Sequence, residues 1–207
     1  MHDRRIDGKP EVFGNAGGLF MTAMTWYDHS TRSIWSQPWG RAIRGPRTGT
    51  ELRLLPSQIT TWSRWEAEHP ETLVMVNGIG GLRMSVAEFR ENFVIGLKLE
   101  DRAKAYPYPV VKELGVVNDH LGEFPVVVWA DEHEYRAYLR LAGDLTLTFE
   151  REGEKLRDVE TGSVWDAARG IALEGPLAGT LLQQVPNLTA YDWAWFDFYP
   201  DSAFFEP

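Results

Sequence analysis

Asn118, Asp119 and His120 set an amide, a carboxylate and an imidazole side by side. As a site, Asp119 could orient or deprotonate a reacting group while His120 moves a proton near neutral pH. The bland reading is an Asx-type turn, in which Asn and Asp ahead of the glycine at 122 bond local backbone amides. The turn reading is preferred, and the three residues are kept as catalytic candidates. A second run, Asp131, Glu132, His133 and Glu134, sets three carboxylates around an imidazole and so invites a metal ion. Adjacent positions seldom converge on one ion, because in a strand they face opposite sides, and no helical His-to-His spacing of four is present. A solvated loop without metal is expected there. Glu66, Glu68, His69 and Glu71 make a third charged group, expected on the exposed face of a short helix and just beyond it.

Composition removes several chemistries. With no cysteine among 207 residues there is no thiolate nucleophile, no disulfide and no Cys-ligated zinc or iron–sulfur site. The five histidines are scattered, no serine sits in a Gly-x-Ser-x-Gly elbow, and no cofactor is expected. Gly14, Gly17 and Gly18 precede an apolar run, yet neither the Walker spacing nor a following long helix is present, so turn and strand packing is the expected role. A net charge of −9 without an isolated basic cluster argues against nucleic acid and anionic membrane as partners. A small molecule or a protein remains as a partner class. No signal peptide or membrane-spanning segment is evident, which makes the cytoplasm the default compartment.

The elements that must position these residues are organised by a repeat. SIWSQPWGRAIRGPRTGTELRLLP returns as SVWDAARGIALEGPLAGTLLQQVP after 130 positions (165 − 35), and the ungapped frame from 28–72 to 158–202 keeps 14 identities. The shared residues are mostly Gly, Pro, Trp and small polar side chains, which build turns and cores. Trp35, Trp65, Trp165 and Trp195 occupy equivalent positions and are expected to anchor cores. Trp26, Trp39, Trp62, Trp129 and Trp193 have no counterpart, so one or two of them could line a ligand surface; Trp39, Trp62 and Trp129 are named as candidates.

Read in order, Asp7-Gly8 predicts a tight hairpin, and the repeat predicts short strands broken at glycines. Thr60 or Thr61 should cap a helix before Pro70, and Asp192 should cap its counterpart before Pro200. A strand is expected over 72–76, a loop over 77–81, and a helix over 86–92 behind a Ser85/Glu88 capping box. Strands at 93–99 and 103–106, a short helix at 110–114 stopped by Gly115, and a meander from 116 to 160 complete the chain. The expected fold is mainly β (α+β): two related β-rich units of short antiparallel strands, each closed by a short Trp-bearing helix. The division is expected near 82/83, giving units 1–82 and 83–207 packed as one compact body.

With both copies of the repeat in view, the chain resembles the bacterial family catalogued as domain of unknown function 3179. The resemblance rests on FGNAGGLFMTAMTWYD, SIWSQPWGRAIRGP, AKAYP, VVNDHLGEFPVVV and LTFEREGEKLRDVETGSVWD, in the family's order. It implies a family whose name assigns no reaction. The family pattern also implies a Cys-Pro-x-Cys segment after the Pro-Val-Val strand, where this chain has Trp129, Ala130, Asp131 and Glu132. Any metal or redox role of such a cysteine pair is therefore not expected here. Further, the second unit uses residues 94–149 to reach the point that Phe13 occupies in the first, which predicts a shortened first unit and a sheet edge able to self-associate. Two functions follow as expectations. The preferred one is a non-catalytic binding or structural module; the alternative is an enzyme using Asn118, Asp119 and His120 on a small substrate.

Overall fold

The computed structural model describes residues 1–74, 89–153 and 155–207. The repeat appears as two four-stranded antiparallel sheets. Phe13–Phe20, Ala23–Asp28, Ile34–Ser36 and Arg41–Arg44 pair in chain order in the first. Phe149–Glu152, Lys155–Asp158, Val164–Asp166 and Ile171–Glu174 do the same in the second. The strands are short because glycine turns interrupt them, and those glycines are sterically required. Gly45 has φ 103° and Gly175 φ 93°, and a Cβ on either would lie 2.8 Å from the Cα of Ser33 or Ser163.

One hydrogen-bond network is written twice. Trp35 donates its indole N–H to Asp28 at 2.9 Å, and Trp165 donates to Asp158 at 2.8 Å. The backbone N–H of Thr31 and of Thr161 donates to the same two carboxylates at 2.6 Å. Ser33 and Ser163 each accept from a backbone amide fourteen residues on, at 3.0 and 3.1 Å. Both indoles are fully buried, and Phe13 and Phe149 meet them edge-on at 5.3 and 5.6 Å. Burying one such indole contributes on the order of 4–6 kcal/mol of gross hydrophobic free energy.

The chain forms two compact units, and each draws on both sequence repeats. Unit 1 comprises Met1–Ser57, Val94–Tyr106 and Val185–Pro207; unit 2 comprises Gln58–Phe93 and Pro107–Gln184. Helix α1 (Trp62–Glu68), which follows the first repeat, thus belongs with the second-repeat sheet. Helix α3 (Asp192–Phe198), which follows the second repeat, belongs with the first-repeat sheet. Unit 1 also holds a four-stranded sheet ordered Asn187–Tyr191, Phe93–Leu99, Arg102–Pro107 and Ala203–Phe204. Its last strand joins in parallel. Trp195 packs there with Val94 and Ala105, over Gly96, where a Cβ would meet the indole at 2.0 Å. Unit 2 adds the meander Val116–Leu121, Phe124–Ala130 and Tyr135–Leu139, with helix α2 (Tyr108–Leu114) before it. Its core gathers Trp165, Phe149, Leu147, Tyr138 and Val127.

Several expectations need correcting. Thr61 caps α1, but the cap of α3 is Tyr191; Asp192 is the first helical residue and accepts from the Trp193 amide at 2.7 Å. Trp65 is only half-buried, packed at a tilt against His69 and bonded to Thr72, so it anchors α1 locally rather than filling a core. Residues 72–74 form no strand and 89–92 no helix; the rest of those two expectations, and the loop at 77–81, lie outside the described residues. Among the described residues, no helix is long and apolar enough to cross a membrane.

Candidate functional site

Unit 1 contains a cleft of about 640 Å³ with aromatic walls. One wall is the first-repeat sheet, where Ala23 and Trp26 stand beside Gln37 and Pro38. The other is Leu188 and Tyr191 of the Asn187–Tyr191 strand together with one flank of α3. On that helix Trp195 and Phe198 are buried while Trp193 is 49% exposed and lies parallel to the Tyr191 ring at 5.8 Å. The pattern DWAWFDF produces this split: residues 195 and 198, three apart, face the core, and residue 193 is turned away from it.

Two polar rings of the cleft, His2 and Tyr199, are shifted by burial toward their uncharged forms. His2 meets the edge of Trp26 at 6.1 Å, and its pKa is lowered to about 4, first by burial and then by the positive charges of the amino group and Lys98. Its imidazole is therefore uncharged at pH 7. The Tyr199 hydroxyl donates to the Pro38 carbonyl at 3.3 Å, and burial pushes its pKa up to about 12. A ring-lined cleft of this size suits a flat apolar body with one or two hydrogen-bonding groups.

The residues singled out in the sequence lie elsewhere or serve this cleft indirectly. Trp39 donates its indole N–H to the Phe198 carbonyl at 2.7 Å and packs edge-on to that ring, fixing the end of α3 against the first-repeat sheet inside unit 1. Trp62 is 51% exposed on α1 in unit 2. Trp129 is buried in unit 2, and its indole N–H has no hydrogen-bond partner.

Asn118, Asp119 and His120 fall within a strand, not in the turn that follows it. Asn118 and His120 therefore share one face and Asp119 takes the other. The Asn118 amide accepts from Phe149 N and donates to Phe149 O, both at 2.8 Å, so it substitutes for a strand partner 31 residues away. His120 is exposed.

The 131–134 run is a loop, but it is not solvated throughout. Glu134 is 2% exposed and bonded to Arg136, while Arg64 bridges Asp131 and Glu134 at 2.6 and 2.8 Å. Among the described residues no group of His, Asp and Glu has an arrangement that could hold a metal. Of the cleft residues, Trp26 and Trp193 were visible in the sequence only as tryptophans without a repeat partner, and His2 carried no signal.

Fold and cleft together define a strand-rich, two-repeat protein with a ring-lined pocket in one unit. The chain belongs to the family described as "Protein of unknown function (DUF3179)", which matches it over residues 1–93 and again over 87–202. Neither a curated protein nor a solved structure matches the chain.

Proposed function

We propose that this protein is a non-catalytic binding module whose site is the ring-lined cleft of unit 1, taking a small molecule with a flat apolar body. The observation that carries the reading is Trp193: a large indole left half-exposed at a cleft lined by Trp26, Trp195 and Phe198. Exposing that much aromatic surface costs free energy unless a ligand covers it. The acid–base alternative on Asn118, Asp119 and His120 draws no support from their placement. The Asn118 amide is engaged by backbone and the three side chains do not face one way.

Titration with 8-anilinonaphthalene-1-sulfonate, an aromatic probe with an apolar ring system, tests the reading. Saturable one-site binding to the folded protein is expected, weakened at least about tenfold in Trp193→Ala, a loss of about 1.4 kcal/mol. Thermal unfolding should be nearly unchanged in that variant, because the side chain is half in solvent. Binding that is absent, or indifferent to Trp193→Ala and Trp26→Ala, would remove the proposal.

A further inference from the structure

Unit 2 contains a second cavity, of about 350 Å³, with chemistry opposite to that of the cleft. Arg64 and Glu68 of α1 form one side, Trp129, Asp131 and Glu134 another, and Arg151, Lys155 and Asp166 of the second-repeat sheet and its hairpin close it. Most of the lining carboxylates are already neutralised. Arg64 donates to Asp131 and to Glu134, Arg136 and Thr60 donate to the other oxygen of Glu134, and Arg169 donates to Asp166 at 2.8 Å.

What remains is one orphan donor and one orphan acceptor. Trp129 is 4% exposed and its buried indole N–H has no partner; Glu68 has a buried carboxylate oxygen, Oε2, also without one. Each such group costs about 1–3 kcal/mol when left unmet, and native proteins rarely leave two at one place without a partner arriving. Burial pushes the Glu68 carboxyl above its ordinary pKa, as expected of an acid with no cation bonded to it.

A hydroxyl is the smallest ligand group that serves both, since it accepts from the indole and donates to the carboxylate. Arg151 donates its Nε–H to the Gly153 carbonyl, and Lys155 lies 3.9 Å from Glu174 with half its side chain exposed. These two basic side chains leave N–H donors over for an acidic ligand group.

We propose that this cavity is a binding site for a hydroxycarboxylate, with a ligand hydroxyl between Trp129 and Glu68 and the carboxylate at Arg151 and Lys155. The proposal does not depend on the cleft of unit 1, and three probes separate its parts. D-Gluconate carries both groups, sorbitol has the hydroxyl chain without the carboxylate, and hexanoate has the carboxylate without the hydroxyls. In titration calorimetry of the full chain, gluconate should bind saturably with a dissociation constant of about 1 mM or below. Sorbitol and hexanoate should each bind at least about tenfold more weakly. Trp129→Phe, which removes the N–H and keeps most of the ring volume, should weaken gluconate about fivefold or more. Lys155→Ala, at a half-exposed position that leaves folding intact, should weaken it as well, and Trp193→Ala should not. Failure of gluconate to bind, equal binding of sorbitol or hexanoate, or native affinity in both Trp129→Phe and Lys155→Ala would each overturn the proposal; the first would mean that water alone meets the two orphan groups.

Discussion

Trp165 and Asp158 form a fully buried pair in which the indole N–H donates to a carboxylate oxygen at 2.8 Å. Trp35 and Asp28 repeat the pair at 2.9 Å in the other unit. Each carboxylate also receives the backbone N–H three residues on, and Asp28 has Arg47 at 3.7 Å besides, so the buried charges are held chiefly by hydrogen-bond donors. Trp35→Ala and Trp165→Ala should each cost about 3–5 kcal/mol as large-to-small core changes. Trp165→Phe should cost about 1–3 kcal/mol, because it keeps most of the packing but removes one donor from a buried carboxylate. Denaturant titration measures all three, and a loss below about 1 kcal/mol in either alanine variant would contradict the burial.

Acid should expose the same pairs. Burial alone would raise the pKa of Asp28 and Asp158, but the bonds from the indoles and from Thr31 and Thr161 outweigh it and hold both carboxyls below the ordinary 3.8. A depressed folded pKa contributes stability that is present above the unfolded value and lost as pH falls through the folded one. Stability should therefore drop as pH falls below about 4, and Asp158→Asn should flatten that drop while lowering stability at neutral pH. Denaturant midpoints taken across this range decide it; an unaltered slope in Asp158→Asn would show that other carboxyls govern the acid response.

Asn118 and His120, neighbours in sequence with different surroundings, should behave differently. Asn118→Ala removes both bonds to the Phe149 backbone and should cost about 1–3 kcal/mol. His120→Ala, at an exposed position, should stay within about 0.5 kcal/mol of the native protein. Thermal unfolding of the two variants checks this, and the reverse order would mean that the strand register is wrong.

Gly96 lies beneath the Trp195 indole, with space for no more than hydrogen. Gly96→Ala should destabilise by about 1–3 kcal/mol through overpacking, though alanine suits a strand better than glycine does. Gly8→Ala meets no atom within 4 Å and suffers only from its φ of 75°. It should cost about 1 kcal/mol. Equal losses would show that backbone conformation, not the indole, makes Gly96 necessary.

Local chemistry made the repeat legible in the sequence. Gly45 and Gly175 mark positions that only glycine fills, Trp35 and Trp165 mark cores, and Asp28 and Asp158 recur with them because each turn needs its acceptor. The strand-rich class, the family, a threonine cap at position 60 or 61 and the stop at Gly115 follow from the same short-range rules. Tertiary structure alone decided which pieces share a unit, because the pairing of 185–207 with 1–57 depends on contacts between distant segments that no local spacing records. It alone also turned Asn118 toward Phe149 and left the Trp129 indole unpartnered in a cavity that Glu68 also lines. A side chain's free hydrogen-bonding capacity is what remains after every neighbour in space has been counted, and most of those neighbours lie far away in the chain.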